Sequence, residues 1–177
     1  MFNIRSSVFE TNSSSSHSIV MTKQDHPIDK VEDAYHVWKD KLQFWDRDLQ
    51  FGRSPFDVLT GWYGRLCYAI ASFGEERLEE IENACRRHIP SFKGFDIPKH
   101  RPWWNEGEEE RPYYGDIDHQ SMGLLQSFLF KHDLSLEDFI FNDRYIVIID
   151  GDEYGVFDTL METPMFTPDA IEDIERA

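Results

Sequence analysis

One long helical pattern constrains the fold more than any other feature of the chain. Apolar residues recur at spacings of three and four from Phe56 to Phe73, which places them along one face of an α-helix. Ser54 is a suitable N-cap residue, and Pro55 suits the first helical position. The pattern therefore predicts a helix that begins at Pro55 and ends at Gly74.

A second helix is predicted directly after the first, from Glu75 to His88. Leu78, Ile81 and Cys85 lie on its apolar face. Acidic residues occupy its first turn and basic residues its last, as the helix dipole favours. Because one glycine separates the two helices, we expect a helical hairpin.

Shorter patterns predict the remaining elements. In chain order they are strands at 2–9 and 17–23, a helix from about Ile28 to Trp38, an extended segment from Leu42 to Phe51, an irregular loop at 98–116, a helix from about Ile117 to Lys131, a helix cap at Ser135 and Asp138, a buried strand at 145–149, a returning strand at 154–160, and a last short helix from Thr167. The predicted fold class is α+β: a single domain over 1–177, with a small mixed or antiparallel sheet covered by a helical layer that includes the hairpin.

The charge balance narrows the classes of partner. The chain has 34 acidic and 18 basic residues, a net charge of −16 with histidine neutral. Such a chain repels phosphate backbones and anionic membranes, so we expect no direct nucleic-acid or membrane binding. It attracts a basic protein instead, although many intracellular proteins are acidic for solubility alone.

Cysteine content and hydrophobic segments predict a cytoplasmic location. Cys67 and Cys85 are too few for a disulfide framework, and both fall on predicted buried helix faces. The chain shows no signal peptide, and no apolar run approaches the roughly 18 residues that span a membrane.

The segment from Glu10 to Ser18 is the first candidate site. Its serines and Arg5 form a candidate anion-binding loop: Arg5, Ser13, Ser14, Ser15 and Ser16. If the protein is an enzyme, Glu10, Asn12 and His17 are its candidate catalytic residues on this segment. The Gly-Lys-Thr/Ser of a P-loop and a Gly-x-Ser-x-Gly turn are both absent, and no cofactor is predicted. In the other interpretation the serines form a solvated linker.

The second candidate site lies at the predicted start of the helix from Ile117. Asp118 is a candidate N-cap, and His119 near a helix N-terminus would be a neutral base or a ligand. A metal site that joins His17 and His119 to Asp116 or Glu10 lacks the spacing of any closed metal motif. The acidic turn that begins at Asp150 lacks the spacing of a calcium loop. For the other histidines the sequence identifies no partner: His36, His88, His100 and His132.

The loop at 98–116 mixes aromatic and acidic residues, which is unusual for a linker. Long loops inside a compact domain are often functional. It supplies further candidate binding residues: Trp103, Trp104, Glu108, Glu109, Tyr113 and Tyr114.

The opening Phe9-Glu10-Thr11-Asn12-Ser13-Ser14-Ser15-Ser16-His17-Ser18 resembles a segment of uncharacterised small proteins of Firmicutes phages, prophages and their hosts. Three further segments resemble the same family: Phe51-Gly52-Arg53-Ser54-Pro55-Phe56, Ile117-Asp118-His119-Gln120-Ser121, and Asp143-Arg144-Tyr145 running to Glu153. The resemblance implies a phage or mobile-element setting, where small acidic proteins often inhibit host defence, anti-CRISPR proteins among them. The family has no established activity, so it assigns no catalytic residue.

Two functions remain open at this point. The first is an acidic accessory protein that binds and inhibits a basic nucleic-acid-handling defence protein in the host cytoplasm. The second is a small hydrolase or nucleotide-handling enzyme in which Glu10, Asn12, His17 and His119 converge. A phage assembly accessory is a third class with no specific sequence feature, and the oligomeric state is not predicted.

Overall fold

A computed structural model describes residues 16–25, 36–52, 57–100, 109–150 and 170–177. The strands within these ranges are β1 Ser16–Thr22, β2 His36–Trp38, β3 Lys41–Gln43, β4 Gln50–Phe51, β5 Asp57–Leu59, β6 Gly94–Asp96, β7 Lys99–His100, β8 Arg111–Pro112, β9 Asp116–Ile117, β10 Tyr145–Asp150 and β11 Ile171–Arg176. The α-helices are α1 Trp62–Phe73, α2 Leu78–His88, α3 Leu124–His132 and α4 Leu136–Phe141. Two 3₁₀-helices cover Asp46–Leu49 and Gly74–Arg77. The predicted strands at 2–9 and 154–160 lie outside the described residues.

A four-stranded antiparallel sheet, in the order β11-β1-β10-β5, forms the centre of the fold. Every residue of β10 is buried, which confirms the strand predicted from its β-branched sequence. Among the described residues, three smaller sheets accompany it: β2-β3-β6, the parallel pair β4-β9 and the antiparallel pair β7-β8.

Helices cover one face of the main sheet. Ile19 and Val147 are paired across β1 and β10, and they share one buried core with Leu66 and Ile70 of α1. Helices α1, α2 and α4 contact one another, and α3 packs on β1 and β11. The predicted α+β class is therefore confirmed. Within the described residues, no helix has the length and apolar character that crossing a membrane requires.

The first helix begins later than predicted. Residues 57–59 form strand β5, which pairs with β10, and α1 begins at Trp62. The prediction of a helix from Pro55 was wrong here because strand pairing with a distant segment overrides the local helical pattern. Gly64 allows this arrangement, since a Cβ on Gly64 would lie only 3.2 Å from the Leu59 Cβ.

The end of α1 and the start of α4 follow the sequence. Gly74 ends α1 with φ of 55°, and α2 follows after one 3₁₀ turn. The Asp138 backbone N–H donates to Ser135 Oγ at 3.0 Å, which confirms the predicted helix cap.

Three other helix predictions were wrong over part of their described residues, although α3 confirms the second half of the helix predicted to end at Lys131. Residues 116–117 form β9, and α3 begins only at Leu124, after Gly123 in a left-handed conformation. Residues 36–38 form β2, where the end of a helix was predicted, and residues 171–176 form β11, where the last helix was expected. Strands β9 and β11 pair with distant strands, β4 and β1, whereas β2 pairs with the neighbouring β3 in a local hairpin.

Candidate functional site

The described residues include seven of the candidate site residues: Ser16, His17, Glu109, Tyr113, Tyr114, Asp118 and His119. The others lie outside the described residues: Arg5, Glu10, Asn12, Ser13, Ser14, Ser15, Trp103, Trp104 and Glu108.

His17 is part of a buried polar cluster at the start of β1. Its side chain is completely buried, on the sheet face that α1 covers, and its Nδ1 lies 3.1 Å from the Tyr68 hydroxyl oxygen. The ring also hydrogen-bonds to the Phe51 backbone carbonyl. A carbonyl only accepts, so the single N–H of the neutral ring is donated to Phe51, and Nδ1 accepts from the Tyr68 hydroxyl.

Asp118 reaches the same cluster from the other candidate segment. Strands β4 and β9 pair in parallel, and the Asp118 N–H donates to the Phe51 carbonyl at 3.2 Å. The Asp118 carboxylate is almost fully buried and accepts from the Gln120 N–H at 3.0 Å. Asp118 therefore stabilises a tight turn and does not cap a helix, because α3 begins later.

His119 lies on the outside of this turn. Its side chain is 76% exposed, and its Nδ1 is 3.6 Å from Asp118 Oδ1. Asp118 thus lies between a buried and an exposed histidine, and His17 alone is enclosed. Among the residues that the structure describes, no group of three or more His, Cys, Asp or Glu side chains could hold a metal ion.

Burial determines the protonation state of His17. Loss of solvent lowers the pKa of His17 from 6.5 to about 4, while the negative charge of Asp118 and the Phe51 carbonyl oppose that change. His17 is therefore neutral at pH 7, as the hydrogen bond from Tyr68 requires.

We expect this histidine to make stability depend on pH. Protonation favours the unfolded chain, because the pKa is lower in the folded protein. Its contribution is complete above pH 6.5 and is lost as the pH falls towards 4, a change of about 3 kcal/mol in the free energy of unfolding. Urea unfolding of wild type and His17→Gln across this range should show a shallower pH dependence in the variant. Equal slopes for the two proteins would contradict the buried neutral state.

Ser16 lies at the end of the main sheet beside the guanidinium of Arg176, a contact that the sequence did not predict. It is paired with Asp150 across β1 and β10, and Arg176 Nη2 donates to Ser16 Oγ at 3.2 Å. The Ala177 N–H donates to the His17 carbonyl at 3.0 Å, which brings the last residues of the chain to the buried cluster. Nothing in the sequence near Ser16 indicates this contact, because Arg176 comes from the opposite end of the chain.

An open groove of about 730 Å³, here called the Trp45 groove, lies where β3 and β6 end. Its lining includes Phe44, Trp45, Asp46, Asp96, Ile97 and Pro98. Phe44 is buried and packs on Tyr63 and Phe95, so it forms a fixed floor. The Trp45 side chain is about half exposed, with 46% of its surface accessible.

Tyr113, a predicted binding residue, stands beside this groove. Its ring stacks on His100 with centroids 4.3 Å apart, and His100 Nε2 lies 2.9 Å from Asp46 Oδ1. The Tyr113 hydroxyl donates to Asp116 Oδ2 at 2.7 Å. Burial, followed by this hydrogen bond, raises the pKa of Tyr113 to about 12. The Tyr113 side chain is therefore held in one position beside the groove, with its hydroxyl protonated and uncharged at pH 7.

Two other candidate binding residues of the predicted loop are described. Glu109 is exposed, and Tyr114, like Tyr113, is partly buried and packs against the core. The structure also gives partners to histidines that the sequence left unassigned. These pairs are His88 with Glu137, His100 with Asp46 and His132 with Asp173.

Comparison of the chain with protein-family models, with curated proteins and with solved structures found no match.

Proposed function

We propose that this chain is an acidic, phage-type accessory protein that binds and inhibits a basic nucleic-acid-handling defence protein in the host cytoplasm, as anti-CRISPR proteins do. The observation that carries the proposal is the Trp45 groove, which combines an exposed aromatic ring with the carboxylates of Asp46 and Asp96. Exposed aromatic groups are common anchors at protein interfaces. The net charge of −16 and the resemblance to phage proteins support the same interpretation.

The charge of the whole chain and the groove have different roles in this proposal. A strongly negative surface speeds the approach of a basic partner over a distance that salt limits to about 8–10 Å. The groove then provides short-range contacts that do not vanish at moderate salt. Binding should therefore weaken as salt rises, while the interface still shows dependence on specific groove residues.

The test is capture of the partner followed by a functional assay. The tagged chain is used to retain proteins from host lysate at about 50 mM and about 500 mM salt. A retained basic protein is then purified and its nucleic-acid binding measured with and without the chain. We expect low-salt retention and a loss of nucleic-acid binding when the chain is added. Failure to retain any basic protein at low salt would overturn the proposal.

One observation favours the alternative, a small hydrolase or nucleotide-handling enzyme. The two polar segments that the sequence singled out meet at Phe51, where His17 and Asp118 approach each other. A completely buried His17 has no surface for a substrate, so this enzyme would need the cluster to open. Hydrolase activity that disappears in His17→Gln, with the folded fraction unchanged, would favour it over the binding protein.

A further inference from the structure

We propose that the Trp45 groove receives an arginine side chain of the basic partner. The inference rests on the proposed function and specifies the group that the partner presents. Four features carry it: a half-exposed indole on a fixed main chain, an available carboxylate, an apolar floor and a net negative lining.

The backbone of Trp45 is fixed before any partner arrives. Trp45 precedes the 3₁₀-helix Asp46–Leu49, and its backbone N–H donates to Asp48 Oδ2 at 2.9 Å. The Asp48 N–H donates in turn to the Trp45 carbonyl at 2.9 Å. With its main chain held in this way, Trp45 presents an aromatic surface with little backbone ordering left to occur on binding.

Asp96 supplies the available carboxylate. Strands β3 and β6 pair in parallel, and the Phe44 N–H donates to the Asp96 carbonyl at 3.2 Å, which places Asp96 next to the groove floor. Asp96 is exposed, and it has no ion-pair partner among the residues that the structure describes. Asp46, the second carboxylate, is already engaged by His100.

Arg47 also lines the groove, and its positive charge affects the net charge of the lining. The Arg47 side chain is 81% exposed, and its Nε lies 3.7 Å from Asp48 Oδ1. Because Asp48 faces this guanidinium, Arg47 is not an uncompensated charge in the groove. The two lining carboxylates, Asp46 and Asp96, leave the lining net negative.

Arginine fits these features better than lysine does. A planar guanidinium stacks on an indole face while it donates two parallel hydrogen bonds to a carboxylate. Its methylene chain packs on an apolar surface such as the one formed by Phe44, Ile97 and Pro98. The ammonium of lysine is a strongly hydrated point charge that neither stacks nor binds a carboxylate through two parallel bonds.

The experiment compares three peptides that differ at one type of position. A short basic peptide carries arginine, lysine or neutral citrulline at the same sites, and each is titrated by calorimetry against the full chain at low salt. We expect the arginine peptide to bind about 3- to 10-fold more tightly than the lysine peptide. Trp45→Ala and Asp96→Asn should each remove most of that preference.

Two matched variants serve as controls. Trp38 is 63% exposed and lies under Lys39, with the Lys39 Nζ 5.9 Å from the ring centroid, away from the groove lining. Asp133 is an exposed aspartate that ends α3. Trp38→Ala and Asp133→Asn remove the same chemical groups and should leave the arginine preference unchanged.

The outcomes separate this inference from the proposed function. Equal binding of the arginine and lysine peptides, or a preference that survives both groove variants, overturns the arginine site. Salt-sensitive capture of a basic protein would still support the proposed function in that case. An arginine preference lost in Trp45→Ala supports the site, and if no basic protein is then captured, the proposed function fails while the site stands.

Discussion

Gly115→Ala should lower the free energy of unfolding by about 4 kcal/mol. This is the largest effect that we expect from a substitution that adds atoms without removing a contact. Gly115 has a φ of 110°, where residues with a side chain are strained, which costs about 1–3 kcal/mol. A Cβ at this position would lie 2.2 Å from the Leu49 carbonyl oxygen and 3.0 Å from the Ala71 Cβ. Relieving such overlap in a packed region typically costs another 1–3 kcal/mol. Urea unfolding monitored by circular dichroism measures the sum.

Gly123→Ala is the matched control for this prediction. Gly123 also has a positive φ, 85°, but a Cβ there would meet no atom within 4 Å. Only the backbone cost remains, so we expect a loss of about 1 kcal/mol. Similar losses in both variants would show that the contact with Leu49 is relieved without cost.

The position of Gly115 links the two candidate sites. It precedes β9, whose pairing with β4 holds Asp116 beside Tyr113 at one end and leads to Asp118 at the other. A variant that shifts this strand should therefore disturb both the surroundings of the groove and the buried cluster. If Gly115→Ala remains folded, the pH dependence attributed to His17 should be weaker in it than in the wild type.

Elements with local signals were predictable from the sequence. The β-branched run of β10, the cap at Ser135 and the stop at Gly74 each depend on residues within the element or next to it. The start of α1 was not predictable in this way, because residues 57–59 form a strand only when β10 is present beside them. The same applies to β9, whose partner β4 lies far away in the sequence.

In the candidate sites, too, local sequence signals identified single residues but not the contacts that form between distant segments. His17 was identified as a candidate catalytic residue and Asp118 as a candidate helix cap, but their meeting at the Phe51 carbonyl depends on tertiary structure. Tyr68, which completes the cluster, belongs to α1, where an aromatic residue is read simply as part of the core. The Trp45 groove had no sequence signal, since parallel pairing of β3 and β6 creates it.

Arg65→Met should cost about 3–5 kcal/mol, because it leaves several buried acceptors without their donor. Arg65 lies on α1 with no exposed surface. Its Nε donates to the Ile140 carbonyl at 3.0 Å, and its Nη1 donates to the Thr60 carbonyl at 2.5 Å and the Tyr145 carbonyl at 2.9 Å. This one side chain therefore joins α1 to α4, to β10 and to the segment after β5. Thermal and urea unfolding both measure the loss.

The comparison that isolates burial is Arg77→Met. Arg77 is the last residue of the 3₁₀-helix Gly74–Arg77 and forms an ion pair with Glu80 at 2.8 Å, with 28% of its side chain exposed. Ion pairs near the surface contribute about 0–1 kcal/mol. Arg77 also stacks on Phe73, 4.7 Å from its ring centroid, so we expect a small loss that stays well below the loss in Arg65→Met. Arg65→Lys should recover little of the loss, because one ammonium cannot reproduce the planar set of donors that three carbonyls require. A small loss in Arg65→Met, or full recovery by lysine, would mean that these carbonyls find other donors when the guanidinium is absent.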